Sequence, residues 1–344
     1  MRLIGLSSLI SSLTLLTVFN VNAAALSTDV TLTCKATINR TLVDVKTLGL
    51  NLSAAIPVGT VVYSGTATVN VKCGMDNIAQ YANEMVGEVY FKRKAVPEGA
   101  LGYGLTLYTG YGGEMSTEPA NIPTGIIIRT FALTNGGTIG EYTDVSLEVP
   151  YQIVKTSDSM SPSTYLKSYI NPFDIGSLVA GTDEQFNFTN IKTAITVKDQ
   201  TCSVAGQADQ TIPLGSYTTN LSSGLGAGIG QTSALTAFNI QLNCEALLSG
   251  KFDVMMKFDG EASSELSDAG VLALNSTSTA SGVGVQILNE DQQPIKLGTP
   301  FNVASYPLSS ALITVPLYAR YYQTAPTITP GSANAVVTYT VSYQ

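Results

Sequence analysis

The sequence predicts an all-β protein built as two β-sandwich domains, and three observations predict it. Short apolar/polar alternations recur along the whole chain, and clusters of Gly, Pro, Asn and Asp punctuate them. No apolar stripe at 3.6-residue spacing lasts longer than three turns. Only 12% of the 344 residues are charged, against a usual share of about 25%. Thr, Ser, Asn and Gly, with many Val and Tyr, replace the missing charge, a mix that suits strands and turns.

The chain opens MRLIGLSSLISSLTLLTVFNVNAAA. Arg2 precedes an apolar run that Ser and Thr interrupt, and small residues follow. This is the layout of a secretory signal peptide, residues 1–23, with cleavage after Ala23 or Ala25. A transmembrane anchor is the competing reading, and the interruptions and the cleavage site speak against it. No later apolar run reaches spanning length. Without Arg2 the 17 basic residues become 16 against 25 acidic ones, a net charge of -9. Such a chain is a poor ligand for phosphate backbones, which removes nucleic acid as a partner.

In VTLTCKATI, the residues Val30, Leu32, Cys34, Ala36 and Ile38 share one parity, and in GTATVNVKC so do Ala67, Val69, Val71 and Cys73. TAFNIQLNC places Phe238, Ile240, Leu242 and Cys244 together. A Cys on the apolar face of a strand points into a core. Further strands are expected in GEVYFKRK, YGLTLYTG, GIIIRTFALT and DVSLEVPYQIV, then in KFDVMMKFDG, GVGVQIL, ITVPLYARYYQ and the C-terminal run. The polar stretch AGTDEQ divides a domain over 24–182 from a second over 186–344. SSGLGAGIGQTSAL reads as a flexible loop.

Four Cys in an exported chain read as disulfides, and four allow three connectivities. One bridge per domain, Cys34 with Cys73 and Cys202 with Cys244, is the simplest. Closing a loop of about 40 residues is worth roughly 4 kcal/mol in the chain-entropy picture. There is no His, so the commonest general base and zinc ligand are missing. Oxidised Cys would leave no thiolate nucleophile. No GxSxG, HExxH or P-loop pattern occurs, and no EF-hand spacing. The sequence therefore predicts neither an enzyme nor a cofactor or metal protein.

From about Phe186 to Gln344 the chain resembles a fimbrial (pilin) domain of the chaperone–usher type. The resemblance rests on several pieces in order: TCSVAGQADQTIPLG, FNIQLNC, GVGVQILNEDQQPIKLG, VPLYARYYQT and the final stretch GSANAVVTYTVSYQ. The last has a penultimate Tyr343, alternating apolar residues before it, and Gly331 fourteen residues from the end. The resemblance implies an immunoglobulin-like sandwich lacking its final strand, completed by β-strand addition. A periplasmic chaperone would lend that strand during export, an outer-membrane usher would pass the subunit on, and an adjacent fimbrial subunit would replace the chaperone's strand in the fibre. Val337, Tyr339, Val341 and Tyr343 would form the docking row, with the carboxylate of Gln344 held by the chaperone. An ordinary final strand in a complete sandwich is the competing reading.

Cleavage would leave only eight to ten residues before Cys34, too few for a donor strand in addition to the Cys strand. A subunit that accepts a strand without donating one sits at the distal end. With its extra N-terminal domain, the chain resembles two-domain tip adhesins of this family, exported through the periplasm and carried at the fimbrium tip on the bacterial surface. The Cys pairing of that domain suggests a second immunoglobulin-like sandwich. The alternative is a non-adhesive tip or adaptor pilin that initiates assembly.

The partner of an adhesin would be a host glycan or other surface receptor. No Trp is present, so Tyr must supply any stacking. Tyr103, Tyr108 and Tyr111 lie among glycines in GYGLTLYTGYGG, either as a sugar platform or as packing in a hairpin. FKRK, with Lys92, Arg93 and Lys94, would meet an anionic glycan through Arg93, or would keep a strand edge soluble. TSDSMSPSTYLKSYINP offers Asp158, Tyr165, Tyr169 and Asn171, either as a site or as a solvated connection.

Overall fold

A computed structural model describes residues 32–38, 40–75, 86–133, 137–140, 142–159, 169–178, 183–189, 195–198, 201–263, 266 and 268–344. The signal-peptide reading and Tyr165 fall outside them.

Among the described residues, thirteen strands make up the first half: β1 Leu32–Ala36, β2 Thr41–Asp44, β3 Leu50–Ser53, β4 Val61–Met75, β5 Val86–Arg93, β6 Leu105–Gly110, β7 Met115–Ser116, β8 Ala120–Leu133, β9 Gly137–Gly140, β10 Tyr142–Lys155, β11 Tyr169–Gly176, β12 Glu184–Thr189 and β13 Ile195–Lys198. One sheet has the order β1-β4-β10-β6-β7 and the other β2-β12-β11-β5-β8-β9, while β13 pairs with β3 in parallel. Period-2 alternation gives each sheet one apolar face. Val69, Val71 and Leu147 of one sheet meet Phe91, Phe173 and Phe186 of the other in a single core. The Phe91 and Phe173 rings stand 4.6 Å apart.

Among the described residues, eight strands follow: β14 Cys202–Val204, β15 Thr236–Cys244, β16 Asp253–Asp259, β17 Val271–Leu272, β18 Val283–Leu288, β19 Phe301–Ser305, β20 Leu312–Gln323 and β21 Thr338–Tyr343. They form sheets of order β14-β15-β20-β18-β17 and β19-β16-β21. Ile240, Leu242, Val315 and Leu317 pack against Val254, Met256 and Phe258. Each half carries one disulfide, Cys34–Cys73 and Cys202–Cys244, joining neighbouring strands. The all-β class and the two sandwich regions are as the sequence predicts.

The halves touch through backbone as well as side chains. Ser249 N–H donates to Asn51 O, and Asn51 N–H donates to the Ser249 hydroxyl, both at 2.9 Å. The buried hydroxyls of Ser53 and Thr201 lie 2.7 Å apart.

Three expectations differ in detail. β1 ends at Ala36, and Ile38, expected to face inward, is 63% exposed. The expected division at 182/186 falls beside β12, which pairs with β11 and β2 and so belongs with the first half through Thr189. The loop expected to be flexible is pinned by Gln323, which is fully buried. Its Oε1 accepts from Gly226 and Gly228, while its Nε2 donates to the carbonyls of Ala325 and Pro326. An amide that fills both its donor and acceptor capacity inside the protein holds its partners in place.

Candidate functional site

The C-terminal strand β21 is an edge. Pairs from Val254↔Tyr343 to Asp259↔Thr338 join it to β16, and no strand among the described residues lies on its other side. Gln344 extends this pairing through two backbone hydrogen bonds with Asp253. Val337, Tyr339, Val341 and Tyr343 form one half-buried row packed on the core. The Tyr343 ring meets Phe252 edge-on, and Tyr339 meets Phe258 in the same way.

Opposite this row runs the chain from Cys202 to Tyr217. Its direction is antiparallel to β21. Tyr339 Oη lies 3.4 Å from Ala208 O, and the Cys202 backbone lies close enough to the Tyr343 phenol to lower its pKa. Tyr217 packs on Tyr321, whose hydroxyl donates to Ala333 O. Ile212 and Leu214 of this segment are half-buried. No backbone hydrogen bond joins the two edges among the described residues. The half-buried row of Val337, Tyr339, Val341 and Tyr343 thus lies between two edges that no ladder joins among the described residues. Burial raises the Tyr339 phenol, with Asp209 adding to it. Burial also raises Tyr343, opposed by the Cys202 backbone. Gly331 lies before β21 rather than in the row. A side chain there would meet the Thr279 hydroxyl and the Ala280 nitrogen at 2.5 and 2.6 Å, so the residue permits a close approach of two loops.

A second concavity, of about 510 Å³, opens in the first half. That is within the range of small-ligand sites, about 300–1,000 Å³. Its walls come from the segment after β5 (Val96, Glu98), from β6 (Thr106, Tyr108), from Glu118 after β7 and from Thr156 after β10.

The predicted binding residues do not converge. Tyr108 lines this cavity. Tyr111 stacks on Phe91 with centroids 5.6 Å apart, and Tyr103 packs against the core at a positive φ of 52°. Arg93 is a correction: it is 8% exposed and faces inward. Its Nε donates to Glu118 O at 2.6 Å and its Nη1 to the carbonyls of Thr109 and Glu114 at 3.3 Å. Lys92 pairs with Asp183, and Lys94 with Asp174 and the Asn171 side chain. The FKRK run is therefore neutralised within the fold instead of forming a basic patch. Asn171 also donates to the carbonyls of Phe173 and Phe186, a structural duty, while Tyr169 is exposed and the exposed Asp158 pairs with Lys155 at 3.7 Å. Sequence reasoning missed Glu98, Glu118, Thr106 and Thr156, which lie on separate segments and share no local pattern.

A profile of the Fimbrial protein family matches residues 190–344. The "Type-1 fimbrial protein, A chain" of Escherichia coli is 38% identical over 152 residues, 43% of this chain and 78% of that protein. The "Fimbria adhesin protein" of Klebsiella pneumoniae is 29% identical over 181 residues, 49% of this chain; the match spans 55% of that protein's length. Among solved structures, the CupB6 tip adhesin from Pseudomonas aeruginosa aligns over 91% of this chain and 95% of its own, at 16% identity and a TM-score of 0.36. The open-edged C-terminal half is the part that carries the family match, and the chain belongs to the fimbrial protein family, as a non-enzymatic subunit of a surface fimbria.

Proposed function

We propose that the chain is a fimbrial tip adhesin. Its first half binds a receptor, and its C-terminal half joins the fibre by accepting a strand, first from a periplasmic chaperone and, after passage through the outer-membrane usher, from the adjacent subunit. Val337, Tyr339, Val341 and Tyr343 form the docking row, continued by Gln344. The observation that carries the terminal position is β13. The residues just before the Cys202 strand pair in parallel with Leu50–Ser53, so this segment is tied to the first half and not free to extend into a neighbour. The likeness to the Klebsiella adhesin, over 181 residues, supports the adhesin reading of the chain.

Immunogold labelling of fimbriae against the first half tests the placement. Gold at fibre ends, one particle per fibre, is expected, and label along the shaft contradicts the proposal. Fimbriated cells lacking the chain should lose attachment.

A further inference from the structure

We infer that the cavity walled by Glu98, Glu118 and Tyr108 binds a cationic side chain, a lysine or arginine displayed on a receptor protein. The inference rests on the adhesin reading above and assigns its ligand class.

The charge at the cavity points this way. Neither the Glu98 nor the Glu118 carboxylate forms an ion pair among the described residues, although other acids of this half do: Glu184 with Arg40, Asp183 with Lys92, Asp174 with Lys94. The cations of the surrounding strands are already engaged. Arg93 lies under the wall on three carbonyls. Lys155, beside Thr156, is buried on the carbonyls of Ala54 and Ile56. The exposed Glu98 and Glu118 thus line the same cavity as the half-buried Tyr108. Carboxylates and an aromatic face are the groups that recognise a guanidinium or ammonium. An anionic glycan would be repelled by both acids, and the chain as a whole carries a net charge of -8.

The walls are braced before any ligand arrives. The hydroxyls of Thr106 and Thr156 lie 2.7 Å apart, and Thr106 also accepts from Gly99 N at 2.8 Å. Val96 N donates to Thr117 O at 3.0 Å, and Arg93 fixes the Glu118 backbone. A pocket that needs no ordering on binding loses less affinity to entropy.

The test is fluorescence anisotropy on the full chain. The probes are a labelled Gly-Arg-Gly-Lys-Gly peptide and the same peptide with citrulline and acetyl-lysine in place of its basic residues. The basic peptide should bind at least about tenfold more tightly than the neutral one, the combined scale of a cation–π contact and two partly exposed ion pairs. Glu98→Gln with Glu118→Gln should remove that preference. Glu290→Gln with Asp291→Asn, exposed acids of the other half, should leave it unchanged. Equal binding of both peptides, equal weakening by the control pair, or a preference for a neutral or sulfated oligosaccharide overturns the inference. Adherence assays separate it from the adhesin reading. If Glu98→Gln with Glu118→Gln leaves attachment intact while deletion of the chain abolishes it, the pocket assignment falls alone. If deletion leaves attachment intact, the adhesin reading falls.

Discussion

The Tyr339 hydroxyl stands 3.4 Å from the carbonyl oxygen of Ala208, and this side-chain contact spans the two open edges of the C-terminal half. At that length it is a weak hydrogen bond, worth no more than about 1 kcal/mol. A strand entering as proposed would displace that weak contact and, in return, pair two backbone edges and cover the row of Val337, Tyr339, Val341 and Tyr343. Tyr339→Phe should therefore leave strand acceptance unchanged. Val341→Asp places a carboxylate where the strand must bury an apolar residue, a penalty of at least about 2 kcal/mol. Co-purification with the periplasmic chaperone should persist for the first variant and be lost for the second. Loss in both, or in neither, would count against β21 as the docking edge.

Two phenols should titrate near pH 12. Burial pushes Tyr151 up to about 12, with Tyr63 adding to it, and burial likewise pushes Tyr306 to about 12, with Tyr343 and Glu245 adding. Both are nearly inaccessible, at 5% and 3% exposure. A folded-state value above the unfolded one means stability that is complete below pH 10 and is lost as pH rises through about 12. The rise corresponds to at most roughly 3 kcal/mol per ring. Lys155 works in the opposite sense, because burial lowers its ammonium pKa from 10.5 despite Asp158; its contribution grows as pH approaches 10.5 and then levels off. Absorbance at 295 nm should show a late-ionising fraction of the 17 tyrosines, coincident with loss of near-ultraviolet ellipticity. Tyr151→Phe with Tyr306→Phe should reduce that fraction, to which Tyr339 and Tyr343 also contribute.

Strands with one wet and one dry face were legible in the sequence, because burial there follows parity. β15 shows it, with Ile240, Leu242 and Cys244 inward, and so does β21. β12 carries the same signal in Phe186 and Phe188, but its inward parity begins at Glu184, whose buried carboxylate is held by Arg40 and the Ala36 N–H. A charged residue at a core position hides a strand start that only tertiary partners explain. β13 and β3 pair across about 145 positions, beyond any local pattern. The direction of Arg93 was available, since it shares parity with Val89 and Phe91. The cavity was not, since its acids lie on two segments brought together by pairing.

Two glycines of β4 look alike in sequence and differ in the fold. A methyl at Gly65 would stand 2.6 Å from the Tyr151 ring, and one at Gly74 would stand 2.3 Å from the Tyr142 ring. Tyr151 cannot retreat, because it stacks on Tyr63 and meets Phe188 edge-on at 5.0 Å. Tyr142 is 53% exposed and can swing into water. Gly65→Ala should cost about 1–3 kcal/mol by overpacking, while Gly74→Ala should stay within about 1 kcal/mol. Thermal unfolding of the two variants reads the difference, and equal melting temperatures would contradict it.

The last expectation concerns Arg93, which the chain spends on its own carbonyls. Arg93→Leu keeps the packing of the stem but strands the oxygens of Thr109, Glu114 and Glu118, buried or partly buried acceptors that each lose a charged donor. Removing one partner of such a network costs more than the net worth of its bonds, about 1–3 kcal/mol for each fully buried group left unpaired. A loss of roughly 3 kcal/mol in denaturant unfolding is expected. The segment Met115–Glu118 should loosen first, seen as faster amide hydrogen exchange at Val96, whose N–H bonds to Thr117 O. Arg93→Lys should recover only part of the loss, because an ammonium lacks the planar fork that reaches three separate carbonyls. A variant as stable as the parent would place Arg93 at the surface and restore it as a ligand for an anionic receptor.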